Sequence, residues 1–479
     1  MKTNSYHILI AAILLISSGL SYGCKKKENV TNPVSQESKT VQFWLTDPAK
    51  NIYFTEQQSI SYSDAVGALN TIAVNAAEQY QVMDGFGCAL TGGSAYHIYN
   101  MPEAERKKLL TELFDDKDKN IGISYLRISI GASDLDAKVF SYDDLPAGQT
   151  DVDMKKFSLA EDKKCLIPLL KEILAVNPNI KILASPWSAP LWMKTTGKSV
   201  GGSLKPEYYD AYSKYFISYI MGMKSEGINI DAITVQNEPL HGGNNPSMVM
   251  PASQQAEFIK TSLGPAFKTV GINTKIIIYD HNADRIDYPI SVLNDADAKK
   301  YIDGSAFHLY GGSINDLSQV HSLHPDKNLY FTEQWVGAGS SFADNLKFHL
   351  SELVIGGSRN WCKTVLEWNL ASNSALTPHT DGGCDQCLGS ITVDGSQVTR
   401  NVGYYIMAHA SKFVRPGSKR IESNIPASDL PNVAFLTPEG RVVVIVLNNG
   451  STAKAFNLKV VAKNITASLA AGAAGTFVW

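Results

Sequence analysis

No glycine-rich phosphate loop follows any apolar run in this chain, and no basic cluster stands out: 43 Lys and Arg face 46 Asp and Glu, a net charge of −3. The first absence weakens a doubly wound nucleotide-binding sheet, where such a loop holds a pyrophosphate at a helix N-terminus. The second leaves no electrostatic footprint for nucleic acid. The N-terminal apolar run, Ile8 to about Leu20, is shorter than the ~20 residues of a membrane-spanning helix. No His/Asp set has metal-ligand spacing, so neither a metal nor an organic cofactor is implied. What is present is an ordinary globular composition, 44% hydrophobic and 19% charged over 479 residues. That length suffices for a large core and one or two further modules. Seven Trp and 21 Tyr suit core packing and sugar stacking equally.

The run from Ile8 has the length of a signal-peptide core and ends at Gly23-Cys24. Small residues before a cysteine resemble the cleavage box of bacterial lipoproteins, with Cys24 as the lipidated residue, although Tyr22 is an atypical neighbour. A plain secretory signal is the alternative. Residues 25–40, KKKENVTNPVSQESKT, are polar and read as a tether. The expectation is an exported bacterial lipoprotein, at the cell surface or in the periplasm, held to a membrane by acyl chains alone. Cys88, Cys165, Cys362, Cys384 and Cys387 remain, an odd number, so at least one is a free thiol. Cys384-x-x-Cys387 lacks a second ligand pair for zinc. A loop disulfide in an oxidising compartment is the better reading, ahead of a thioredoxin-like role.

Short alternating segments (VQFWLTD, SISYS, TIAVNAAEQY) read as strands of a small β element. From Gly85 the rhythm changes. Apolar strand-like runs occur at 85–89, 123–131, 180–187, 231–238, 274–282, 304–312, 328–335 and 363–371, with helical stretches between them. One stretch places Leu166, Leu169, Leu170, Ile173 and Leu174 on one face; Pro168 requires that helix to start nearby or to kink. Eight β-then-α units predict a (β/α)8 barrel over 84–415. After a helix closed by Pro416-Gly417 the pattern returns to β. Segments 41–83 and 416–479 therefore predict a β-sandwich side domain, and 1–24 and 25–40 the signal and tether.

In such a barrel chemistry sits at the C-terminal strand ends. Asn237-Glu238-Pro239 ends the fourth run and Glu333 the seventh. Two carboxyls facing each other across that rim are what glycoside hydrolysis needs: one protonates the leaving oxygen, the other attacks the sugar carbon when they stand about 5 Å apart. The roles require different proton affinities.

The ordered motifs MDGFGCALTGGSA, YLRISIGASD, ASPWSAPLWMKT, ITVQNEP, FHLYGG, YFTEQW, EWNLA and SKFVRPGS resemble glycoside hydrolase family 30, which includes glucosylceramidase and microbial β-1,6-glucanases. The resemblance implies a (β/α)8 barrel with a β-sandwich side domain. It implies that Glu238 is the acid/base, Glu333 the nucleophile, and Asn237 the partner of the sugar 2-hydroxyl. Asp134 and Trp187 would line the subsite of the reacting sugar, and Trp368 would be an aromatic platform there. Arg127, His308 and Tyr310 would surround the nucleophile. After the eighth run, PHTDGGCDQCLGSITVDG resembles the β-1,6-glucanase branch, where glucosylceramidases tend to carry a Gly-Gly-Pro-Asn element. The expectation is a retaining endo-β-1,6-glucanase acting on β-glucan. The alternatives are an exo-acting β-glucosidase, glucosylceramidase or β-xylosidase, and a glycan-binding lipoprotein with a dead barrel.

Overall fold

A computed structural model describes residues 40–479; Cys24 and the rest of 1–39, with the signal and most of the tether, lie outside the described residues. Eight parallel strands close into a barrel in chain order: β1 (Gly85–Ala89), β2 (Tyr125–Ile130), β3 (Lys181–Pro186), β4 (Ala232–Thr234), β5 (Lys275–Asn282), β6 (Ile302–His308), β7 (Asn328–Glu333) and β8 (Cys362–Asn369). The strands are buried on nearly every residue because helices cover them outside and side chains fill them inside.

Period-2 alternation organises the interior. Tyr125, Leu183, Ala232, Ile277, Ala306, Tyr330 and Leu366, one from each of seven strands, pack together as an apolar plug. One step of two toward the C-terminal ends come Arg127, Ser185, Thr234, His308, Thr332 and Trp368, all buried. The exception is β5, where the next inward side chain is Asp280, three residues after Ile277. A register shift between Tyr279 and His281, with Tyr279 and Asp280 both left-handed at φ 71° and 67°, inserts the extra residue as a bulge.

Several helices differ from a simple periodic reading. The helix Leu166–Val176 carries Pro168 in its first turn, where a missing N–H breaks no intrahelical bond, so it starts there without a kink. The stretch 252–270 widens to a π-helix at Ile259–Leu263 just before Pro265, which has no N–H to give the preceding turn. No helix among the described residues is long and apolar enough to cross a membrane.

The side domain joins both ends of the described chain in a nine-stranded sheet. Thr40–Asp47 pairs antiparallel with Ala474–Val478, placing Phe43 opposite Phe477 with the rings stacked at 4.7 Å. Thr71–Val82 pairs with Lys419–Ser423. Its own core contains Ile72, Val444, Phe456, Leu458 and Phe477. The barrel's last helix, Val402–Ser411, docks on this sheet through His409, whose Nδ1 and Nε2 lie 2.9 and 2.8 Å from the hydroxyls of Thr476 and Thr46. Burial pushes that imidazole down to about 3.

Candidate active site

The run 231–238 is strand only as far as Thr234. Beyond it the chain is held by single bonds to its neighbours: the Val235 N–H to Ile277 O (3.1 Å), Asn237 N–H to Pro186 O (2.8 Å) and Glu238 N–H to Asp280 O (2.9 Å). Glu238 takes a left-handed φ of 44°, sparsely populated for a residue with a Cβ, and Pro239 follows. The carboxyl is thereby fixed at the rim on strained backbone. Glu333 needs no such device, since it is the last residue of β7.

Arg127 is fully buried beneath both. Its Nη1 donates to Glu333 Oε2 (2.5 Å), its Nη2 to Asn237 Oδ1 (2.6 Å) and Asp280 Oδ2 (2.8 Å), and its Nε to Ser185 Oγ (3.2 Å). Burial works against this cation, but the Asp280 and Glu333 carboxylates outweigh it and hold the guanidinium charged. Because the Asn237 carbonyl is taken by Arg127, its amide nitrogen is left as a donor for a ligand. The Tyr310 hydroxyl donates to Glu333 Oε1 at 3.0 Å. Glu333 thus has a charge-assisted partner on one oxygen and a hydroxyl donor on the other, which fixes the direction in which its carboxyl faces the rim.

Glu238 sits among imidazoles. Its Oε1 lies 3.5 Å from Nδ1 of both His281 and His308, and Asn244 Nδ2 donates to Oε2 at 3.3 Å. His308 Nδ1 is also 3.8 Å from Glu333 Oε1, so one ring nitrogen stands between the two carboxylates. Burial disfavours the Glu238 anion, yet the facing imidazoles outweigh it and lower its proton affinity. Burial likewise opposes the His308 cation, but Glu333, Asp280 and Glu238 draw it up to about 9. The expectation that the acid itself holds the proton is therefore modified: in the free site the pair Glu238–His308 holds it jointly, with the imidazole as the preferred seat.

Asp280 and His281 are residues that sequence reasoning missed; His281 faces Glu238, and Asp280 lies beneath the site. Fully buried, it accepts from Arg127, Ser185, Thr234 (2.7 Å) and Thr332 (2.6 Å), with His308 Nε2 at 3.1 Å. Burial penalises its charge, but Arg127 and His308 prevail and keep it ionised. The signal was available: β5 ends in Asp-His-Asn, polar residues closing an apolar strand just as Asn237-Glu238 closes the fourth run.

Trp187 and Trp368 are only 2% and 4% exposed. Their rings lie 5.4 Å apart, and the Arg127 guanidinium is 4.9 and 5.7 Å from their centroids. The two indoles thus pack on the cation that holds Glu333. They also pack with Leu135 and Cys387. Cys384 and Cys387 are bonded, and Cys88, Cys165 and Cys362 are free. The disulfide loop reaches the site twice. The Cys384 N–H donates to Asp134 Oδ2 at 3.3 Å, and Cys387–Leu388 pairs with Val336–Gly337, three residues past Glu333. Burial and the nearby Glu333 charge push the Asp134 carboxyl up to about 7, while the Cys384 N–H pulls the other way.

Residues 83–414 match the glycosyl hydrolase family 30 TIM-barrel domain, and 417–477 the family's β-sandwich domain. The chain is 35% identical over 350 residues to an endo-1,6-β-D-glucanase of Neurospora crassa, covering 71% of each chain. It is 29% identical over 407 residues to the lysosomal acid glucosylceramidase of Mus musculus, covering 78% of this chain and 76% of that one. A solved endo-β1,6-glucanase superposes with a TM-score of 0.85 at 36% identity, over 92% of this chain and 99% of its own. With two carboxyls at the ends of β4 and β7 of a closed barrel, a sheet domain at its side and these matches along both, the chain belongs to glycoside hydrolase family 30 and is a glycoside hydrolase.

Proposed function

We propose that the protein is a retaining endo-β-1,6-glucanase. The observation that carries hydrolysis is the unequal surroundings of the two carboxyls. Glu333, held by Arg127 and Tyr310, attacks the anomeric carbon and forms the glycosyl ester. Glu238, whose Oε1 stands 3.5 Å from His308 Nδ1, protonates the departing glycosidic oxygen. A water then enters, gives its proton to Glu238, and its oxygen displaces Glu333 from the sugar carbon. A glycan bound over the two carboxyls expels water, and a drier site favours a neutral carboxyl beside a neutral imidazole over an ion pair, which moves the proton onto Glu238 as the leaving group arrives. Asn237 offers its amide to the 2-hydroxyl. The Asp134 carboxylate offers acceptors to further hydroxyls of the same ring.

The β-1,6 linkage is supported by the likeness to proteins named endo-1,6-β-glucanases and by the Cys384–Cys387 loop beside Asp134. Likeness to glucosylceramidases supports the second reading, exo attack on β-glucosides. The test is a time course with a β-1,6-linked glucan and the chain from about residue 40 onward. Mixed oligosaccharides before glucose support the endo reading. Glucose alone moves it to exo attack, and no product moves it to glucosylceramide and aryl β-glucosides. Export and lipid anchoring at Cys24 belong to the same proposal. Their test is incorporation of labelled palmitate in a bacterial host, abolished by Cys24→Ser; unlabelled wild-type chain would overturn the anchor.

A further inference from the structure

The fold gathers Glu238, His281 and His308 from three strand ends far apart in sequence, and their ligand atoms lie within 4.8 Å of one another. The Nδ1 atoms of both histidines are buried and make no hydrogen bond, although each faces Glu238 Oε1 at 3.5 Å. His308 is fully buried and His281 is 8% exposed. Two imidazole nitrogens are therefore aimed at one carboxylate oxygen.

We infer that these three side chains form a His2Glu site for a zinc-like divalent cation, and that occupation of it switches the enzyme off. The spacing fits. Ligand bonds of about 2.0–2.1 Å in a tetrahedron put neighbouring ligand atoms about 3.3 Å apart, close to both observed separations. The outer partner fits as well. His308 Nε2 lies 3.1 Å from the Asp280 carboxylate, which accepts the ring proton there, so that a cation displacing the proton between Nδ1 and Glu238 meets the Nδ1 lone pair. A carboxylate behind a ligating histidine is the usual way such a ring is oriented and made more basic. Two nitrogens and one oxygen suit Zn2+, Cu2+, Ni2+ or Co2+ and are poor for Mg2+ or Ca2+, which take oxygen ligands. Three protein ligands leave a fourth position for water or a glycan hydroxyl.

The inhibitory consequence rests on Glu238 being the acid/base; the binding site does not. A cation on Glu238 takes the lone pair that must carry the proton, and it stands where the glycosidic oxygen must approach. The test is a titration of the soluble chain with Co2+ in a Cys165→Ser background, which removes the half-buried thiol, followed by visible absorption. One equivalent should produce the strong bands of a tetrahedral site, lost on adding Zn2+. The bands should be absent in both His281→Asn and Glu238→Gln. Zn2+ should lower glucan hydrolysis at least about tenfold, with recovery on chelation, and Mg2+ should not. No tetrahedral spectrum, or one that survives in both variants, overturns the site. A normal spectrum with hydrolysis unaffected by Zn2+ overturns the inhibition and, with it, the acid/base role of Glu238.

Discussion

Replacing Cys384 and Cys387 together by Ser should weaken glycan handling while leaving the barrel intact. The loop they close touches the site at two points. Its Cys384 N–H supports Asp134 Oδ2 at 3.3 Å, and the loop is stitched to the segment that follows β7 through Ala338 N–H to Gln386 O at 2.8 Å. The Thr380 N–H also holds the Asp134 carbonyl at 2.8 Å, so Asp134 keeps its backbone anchor when the disulfide is gone. What is lost is one hydrogen bond to a carboxylate. Such bonds contribute about 1.5–3 kcal/mol, and 3.3 Å is long, so the lower figure applies: roughly tenfold in kcat/KM, mostly through KM. The same N–H lowers the proton affinity of a carboxyl that stands at about 7. Without it the carboxylate is lost at higher pH, and the acid limb of kcat/KM moves up. The assay is a pH profile of wild type and double variant on β-1,6-glucan, with thermal unfolding in parallel. Coincident profiles and equal kcat/KM in a variant shown to lack the disulfide would refute the reasoning. A large drop in melting temperature would reassign the loop to stability.

Glu333→Gln should lose turnover by on the order of 10³-fold or more while still binding oligosaccharide, measured by calorimetry beside kinetics; retained turnover would remove it as nucleophile. Asp280→Asn leaves the buried Arg127 short of a counter-charge and His308 without its carboxylate, so urea unfolding should show a loss of about 3–5 kcal/mol together with a fall in kcat; unchanged stability would mean the Asp280 charge is not needed. His409 predicts acid sensitivity. Its folded value of about 3 lies below the ordinary 6.5, so the unfolded chain binds the proton more readily. The stabilisation is complete above about 6.5 and is lost as pH falls toward 3, at ~1.4 kcal/mol per unit, or about 2 kcal/mol by pH 5. His409→Gln should flatten that slope in denaturant titrations at pH 7 and 5, and an unaltered slope would place the acid-labile group elsewhere.

The order of elements was legible because each is a local fact. Eight apolar runs bounded by turns and separated by helical stretches require neither neighbours nor distances to recognise. Glu238 and Glu333 could be found from the same local contrast, a strand made for a dry interior ending in a carboxyl. Cys384 and Cys387 are close enough in sequence for their bond to be expected. The polar layer above the apolar plug was partly readable too, since Arg127, His308 and Trp368 each follow a plug residue by two.

Asp280 breaks that count. Its inward aim depends on a bulge, and a bulge is decided by how β5 must register against β6 once the barrel closes. The double duty of Trp187 and Trp368, packed on Arg127 rather than simply lining a subsite, depends on which strand ends become neighbours. The seat of the proton is decided the same way. A glutamate and two histidines more than 20 residues apart carry no mutual signal in the chain, because their interaction falls off over a few ångströms and only the closed barrel brings them that near. Sequence alone determined which residues could do this chemistry; tertiary structure decided their charge and their company, since both depend on distances through space that spacing along the chain does not encode.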